Sequence, residues 1–243
     1  MEGVLQSVEA RLHADPGTRQ DVVIDELKLA ADGVLTMEGV ARSLAARKRA
    51  LTLAASCEGV AGIADRMRVR PGVPATDAEI RVALREMFAR EPAFADLAVF
   101  EDLDPDPLKD RPAAVSGGAE PRGRIEIEVR DGVVTLDGAV PSLARRRLAG
   151  AMAWWAPGVC DVINGLAVEP PEQDSPDELE EGVRLVLERN PVIDASQIRV
   201  GVRGDVVRLT GLVRTPDASR IAETDAWGVL GVADVLNEIE VRP

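Results

Sequence analysis

The chain has 243 residues and a formal net charge of −13; 46% of its residues are hydrophobic but only 2% aromatic, with no tyrosine. An acidic surface repels phosphate backbones, which excludes nucleic acid as a general partner. A core this poor in rings must be layered from Val, Leu, Ile and Ala. The charge is uneven: residues 1–72 carry 10 acids and 10 bases, residues 73–170 carry 17 and 11, and residues 171–243 carry 15 and 8.

In chain order, an amphipathic helix over Gly3–Ala14 comes first. Its neighbourhood holds Glu2 and Glu9 and no apolar run of the signal-peptide kind, so a cytoplasmic protein is expected. No segment approaches the ~20 apolar residues that span a bilayer. A strand bearing Leu27 and Leu29 leads to a turn at Asp32-Gly33, a strand ending near Gly39, an Ala/Arg-rich helix, Gly59-Val60 and a strand closing at Val69. A second set opens with a helix over Asp77–Arg90 behind the capping box Thr76-Asp77-Ala78-Glu79. Residues 93–123, rich in Pro, Gly and Asp, read as a long inserted loop. Ile125, Ile127 and Val129 alternate as a strand, and Asp131-Gly132 supplies the positive φ of a two-residue hairpin. The next strand ends at Gly138, Ser142 caps a helix, Gly158-Val159 ends it, and a strand covers Val162–Val168. The third set repeats this: helix Asp177–Arg189 behind Ser175-Pro176, strand residues Ile198, Val200 and Val202, turn Gly204-Asp205, and a strand ending at Gly211. Thr215 and Pro216 then start a helix that Gly231-Val232 ends, and the last strand is Val235–Val241.

The three sets are copies. Gly39 to Gly59, Gly138 to Gly158 and Gly211 to Gly231 are each 20 residues apart, and Val69, Val168 and Val241 each lie 10 residues further on. An offset of 99 carries copy one onto copy two, and an offset of 73 carries copy two onto copy three. The predicted fold is α+β: three tandem αββαβ modules over 1–72, 73–170 and 171–243, each a three-stranded sheet with two helices on one face. Leu27 and Leu29 stand one residue out of phase with the other copies, so the first strand carries a bulge or is irregular.

The hairpin Asp131-Gly132-Val133-Val134-Thr135-Leu136-Asp137-Gly138, the following Pro141-Ser142 with its Arg/Ala helix, and the close Gly158-Val159-Cys160-Asp161-Val162-Ile163-Asn164-Gly165 resemble the BON domain. That family is named for bacterial osmotically inducible and nodulation proteins. Copy three repeats the close as Gly231-Val232-Ala233-Asp234-Val235-Leu236-Asn237; copy one departs most, with Asp65-Arg66 in the place of Asn164-Gly165. The resemblance implies an αββαβ fold and a non-enzymatic role, with phospholipid surfaces as the commonly proposed ligand. It adds stress response as a setting.

Catalysis has few candidate residues. His13 is the only histidine and has no Ser or Cys motif near it, so a structural histidine is the reading. Gly117-Gly118 lacks the strand and helix of a phosphate loop. The acidic run Glu101–Pro107 has Pro107 and Ala113 where a calcium loop needs Gly and Glu, so no metal and no cofactor are expected. Cys57 and Cys160 lie far apart in sequence, form no motif and read as two buried small hydrophobes in a reducing cytoplasm. The glycines Gly39, Gly59, Gly138, Gly158, Gly211 and Gly231 answer to backbone geometry. The candidate binding residues are the second-helix cations Arg47, Lys48, Arg145, Arg146, Arg147 and Arg220 and the tryptophans Trp154 and Trp227. Local positive charge beside tryptophan suits a membrane interface, here the inner face of the membrane. The alternative for these residues is a solvated helical face with the tryptophans packed on the sheet or a neighbouring copy. The alternative functions are a protein–protein scaffold or self-assembling homo-oligomer that uses sheet edges or Trp faces and, more weakly, ion or small-ligand sensing.

Overall fold

The computed structural model describes residues 2–101 and 121–242. They fall into two compact units, Met1–Pro71 and Gly72–Pro243.

In the first unit, α1 (Glu2–Ala14) and the short α2 (Pro16–Arg19) lead into β1 (Val22–Leu29), β2 (Val34–Ala41), α3 (Leu44–Ala55) and β3 (Gly62–Val69). The hairpin β1–β2 is antiparallel and β3 lies parallel on the far side of β2, which makes β2 central. A parallel neighbour needs a crossover, and α3 supplies it. Strand alternation sends Leu35, Met37 and Ala41 under the helices with no exposure, while Glu38 faces out. Val8 and Leu12 of α1, Ala50 and Ala54 of α3 and Met67 of β3 complete that core. Each of its fully buried Leu, Val or Met side chains contributes about 1.5–3 kcal/mol.

Two inserted residues resolve the phase of β1. Leu29 lies opposite Leu35 and Leu27 opposite Met37, just as Val129 lies opposite Val134 and Ile127 opposite Leu136 in copy two. The hairpin of copy one is therefore a residue longer, and that absorbs the slip. Upstream, a bulge between Ile24 and Glu26 returns Ile24 to the inner face, opposite Gly39.

The second unit holds copies two and three. Copy two runs α4 (Asp77–Arg90), β4 (Leu97–Glu101), β5 (Gly123–Arg130), β6 (Val133–Val140), α5 (Leu143–Trp155), β7 (Asp161–Asn164) and β8 (Ala167–Val168). Copy three runs α6 (Pro176–Arg189), β9 (Ile198–Arg203), β10 (Val206–Val213), α7 (Pro216–Gly228) and β11 (Asp234–Val241). The sheet of copy three has the order β11-β10-β9, matching copy one. Thr76 and Glu79 form the expected reciprocal cap on α4, and Ser142 and Thr215 cap α5 and α7 through the amides of Arg145 and Ala218. The single closing strand expected over Val162–Val168 is divided at Gly165-Leu166, where the Gly165 amide turns to the Leu136 carbonyl and Leu166 drops into the core.

The segment read as an inserted loop opens on ordered structure. A 3-10 turn over Pro92–Phe94 leads to β4, which runs parallel along β5 and widens the sheet of copy two. Phe94 packs its ring on Phe88 of α4 with centroids 5.1 Å apart. Residues 102–120 of that segment, including Gly117-Gly118 and the acidic run after Glu101, lie outside the described residues.

Two glycine sets show why this repeat keeps them. Gly211 has φ +130°, and an added Cβ would lie 2.0 Å from the Gln197 carbonyl oxygen. Gly158, at φ +87°, is the third residue of the turn Ala156-Pro157-Gly158-Val159, closed by the Val159 amide on the Ala156 carbonyl. This is the position that demands φ > 0 in a type II turn. The glycine therefore makes the turn after the helix rather than ending the helix itself.

Candidate functional site

The consecutive cations of α5 point to three different places. Arg147 is 2% exposed and lies in the seam between copies two and three. Its Nε donates to the Leu230 carbonyl (3.0 Å), Nη1 to the Glu178 carbonyl (3.2 Å), and Nη2 to both carboxylate oxygens of Asp174 (2.7 and 2.8 Å). α6 makes room with Gly182, where an added Cβ would sit 2.5 Å from the Arg147 Cδ. Arg145 binds the Asp96 carboxylate at 2.8 Å. Arg146 donates to the Asn164 carbonyl at 3.4 Å.

A second polar contact crosses the same seam. Trp155 donates from Nε1 to Asp225 Oδ1 (2.8 Å), and Asn190 donates from Nδ2 to Asp225 Oδ2 (2.6 Å). Asp225 is 4% exposed on α7, and burial pushes its carboxyl up to about 6 against the pull of those two hydrogen bonds. Arg189 of copy three binds Glu91 of copy two at 2.9 Å. Copies two and three are thus joined by buried charge and directed hydrogen bonds, a costly arrangement to break once formed.

The remaining cations also have partners. Arg47 binds Asp65 through Nε (3.1 Å) and Nη2 (2.7 Å). Lys48 is half-buried, and burial first and the Arg47 charge second lower its ammonium to about 8. Arg220 is exposed and paired with Asp217 at 2.7 Å. Trp154 is half-buried and Trp227 is buried at 6% exposure. Within the second unit, Arg145, Arg146 and Arg147 hold three separate partners. His13 is exposed, with Nδ1 2.9 Å from the Glu9 carbonyl.

The closing signature has a mechanical role. Asn164 donates to the Arg146 carbonyl (2.8 Å) and accepts from the Leu166 amide, tying the last strand to the second helix. Asn237 does the same in copy three, on Ser219 and the Ile239 amide. Copy one keeps the tie with different chemistry: Asp65 accepts from Arg47 and from the Met67 amide.

Sequence reasoning missed Asp225, although a signal was present. The equivalent positions are Leu53 and Met152, and an acid in that register on α7, three residues past the buried Ala222, stands on the core face. It also missed a cleft of about 430 Å³ in copy one, between Leu5, Glu9 and Leu12 of α1 and residues 22–27 of β1. Among the described residues no group of three or more metal-ligating side chains converges, and no helix is long and apolar enough to cross a membrane. Cys57 and Cys160 form no disulfide.

The family model for the BON domain matches residues 6–71, 114–170 and 175–243. No curated protein matches the chain. Two solved structures of CdsD, a structural protein of the type III secretion system of Chlamydia trachomatis, one of them its C-terminal domain, are similar at 12% identity and a TM-score of 0.25. They cover 99% of this chain and 98% and 93% of their own.

Proposed function

The chain belongs to the BON domain family, and from that premise we propose that it is a non-catalytic binding protein whose modules act as a protein-interaction scaffold. The observation that carries this reading is the state of the second-helix cations. Arg47, Arg145, Arg147 and Arg220 each bind a carboxylate of their own chain. A guanidinium already paired gains little from an anionic headgroup, because the existing pair must first be broken or shared, and the overall charge of −13 opposes the approach. Sheet edges favour the scaffold. Among the described residues β1 and β3 border the sheet of copy one, and β9 and β11 that of copy three. A bordering strand is a template for another extended chain.

Association with a phospholipid surface is the second reading, supported by the ligand class linked to this family. It would use the exposed Arg220 and the half-buried Trp154. Vesicle flotation separates the two. The scaffold reading expects the chain to stay with the soluble fraction, with neutral or anionic lipid, at low and physiological salt. Flotation that requires anionic lipid, fades with salt and is lost on Arg220→Glu overturns it in favour of the lipid reading.

A further inference from the structure

Copy two fills a place that copy one leaves open. β4 lies parallel to β5 with Leu97 opposite Gly123, Val99 opposite Ile125 and Glu101 opposite Ile127. Leu97 and Val99 are fully buried there, and under that cover Ile125, Ile127 and Val129 reach 0, 0 and 3% exposure. By hairpin register their equivalents in copy one are Ile24, Leu27 and Leu29. All three are only half-buried, and Ile24 and Leu27 line the 430 Å³ cleft. The connection from α1 to β1 holds only α2, so nothing within it plays the part of β4.

The helices beside these two places differ in charge. Val8 and Leu12 of α1 are core residues at the spacing of Leu84 and Phe88 of α4. The residue after the first of each pair is Glu9 in α1 and Arg85 in α4. Arg85 faces the Glu101 carboxylate of β4 at 3.8 Å. In copy one Glu9 stands at that point, with Asp25 and Glu26 also on the cleft and Arg19 the one arginine among its lining residues. The polarity of the third inward position is therefore reversed.

Building on the scaffold reading, we propose that the α1–β1 cleft binds an extended strand of a partner protein, parallel to β1. Its pattern is apolar-x-apolar-x-Lys/Arg: the two apolar side chains take the places of Leu97 and Val99, and the cation meets Glu9. Strand addition gains affinity from main-chain pairing and specificity from alternate side chains. A second copy donating its own β4 would bring Glu101 against Glu9, which disfavours that occupant.

The test titrates the full-length chain with two labelled hexapeptides, Asp-Leu-Ala-Val-Phe-Glu, the sequence of residues 96–101, and the same peptide carrying Glu101→Lys. Amide NMR locates the site and fluorescence anisotropy gives the affinity. The lysine peptide is expected to shift the amides of Val22–Leu27 and to bind about two- to fivefold more tightly than the glutamate peptide, the range of one exposed ion pair. Glu9→Arg, an exposed position that leaves the core intact, is expected to invert the preference. No shift at those amides up to about 1 mM peptide overturns the proposal. So does a lysine preference that survives Glu9→Arg, or a dimer in sedimentation whose Val22–Leu27 amides are protected from hydrogen exchange. If the peptides fail while the chain still ignores vesicles, this proposal falls and the scaffold reading stands; salt-sensitive flotation removes the scaffold reading whatever the peptides do.

Discussion

Replacing Asp225 with Asn should stabilise the protein at neutral pH, although it removes a buried group that accepts two hydrogen bonds. The carboxyl is pushed from 3.8 up to about 6 by burial, so the ionised form is the costly one in the folded state. Between roughly pH 4 and pH 6 the folded chain holds more protons than the unfolded chain, and stability falls as pH rises through that window. Above it, the cost is fully present. Two pH units correspond to about 3 kcal/mol at pH 7.5, which is the ceiling for the gain from Asp225→Asn. The amide reduces it somewhat, since its own N–H₂ adds donors where Trp155 Nε1 and Asn190 Nδ2 already converge. A gain of about 1–3 kcal/mol in a unit of this size raises Tm by roughly 3–10 °C. Calorimetry at pH 7.5 and pH 4.5 reads this directly: the variant should melt higher than the wild type at pH 7.5, and the gap should narrow to about a third at pH 4.5. A variant that melts lower at pH 7.5, or a pH dependence unchanged between 4 and 6, would show that the two hydrogen bonds outweigh desolvation and refute the reasoning.

Arg147→Ala should cost the second unit about 3–5 kcal/mol, because it leaves the Glu178 and Leu230 carbonyls without their donor and opens the seam. Urea unfolding should show the midpoint of that unit falling while the first unit keeps its own. Gly211→Ala should cost about 2 kcal/mol or more, since the strand must move off the Gln197 carbonyl and accept a positive φ; a thermal melt within 1 °C of wild type contradicts this. Vesicle flotation should leave the chain in the soluble fraction at both salt concentrations. The hexapeptide carrying Glu101→Lys should bind copy one, and Glu9→Arg should reverse its advantage.

What sequence revealed of the fold was local. The caps at Thr76, Ser142 and Thr215 join residues three apart, and the hairpin turns at Asp131-Gly132 and Gly204-Asp205 are two-residue signals, so each can be read from a short window. β4 cannot: it has five residues, follows no periodicity, and is defined by pairing with β5 more than twenty residues on. The phase of β1 lay between these cases. The slip was visible as misplaced leucines, but only the pairing distributes it between a longer turn and a bulge at Asp25.

The run Arg145-Arg146-Arg147 shows why charge clusters in sequence are poor guides to surfaces. Successive residues on a helix are about 100° apart, so three in a row cover more than half its circumference and cannot form one patch. Here they serve the loop before β4, the closing strand, and the seam with copy three. The registers that do carry information are those where the copies disagree. Lys48, Arg147 and Arg220 share one position and are respectively half-buried, locked in a seam and exposed. Leu53, Met152 and Asp225 share another, and Asp225 accepts a hydrogen bond from Trp155 of the neighbouring copy. The cores hardly differ, because αββαβ packing constrains them alike. Divergence concentrates where one copy meets something outside itself: the seam for copies two and three, and the edge of β1 for copy one. On that logic Glu9, which reverses the charge of Arg85 at an otherwise matching site, marks a contact whose other side is not within its own module.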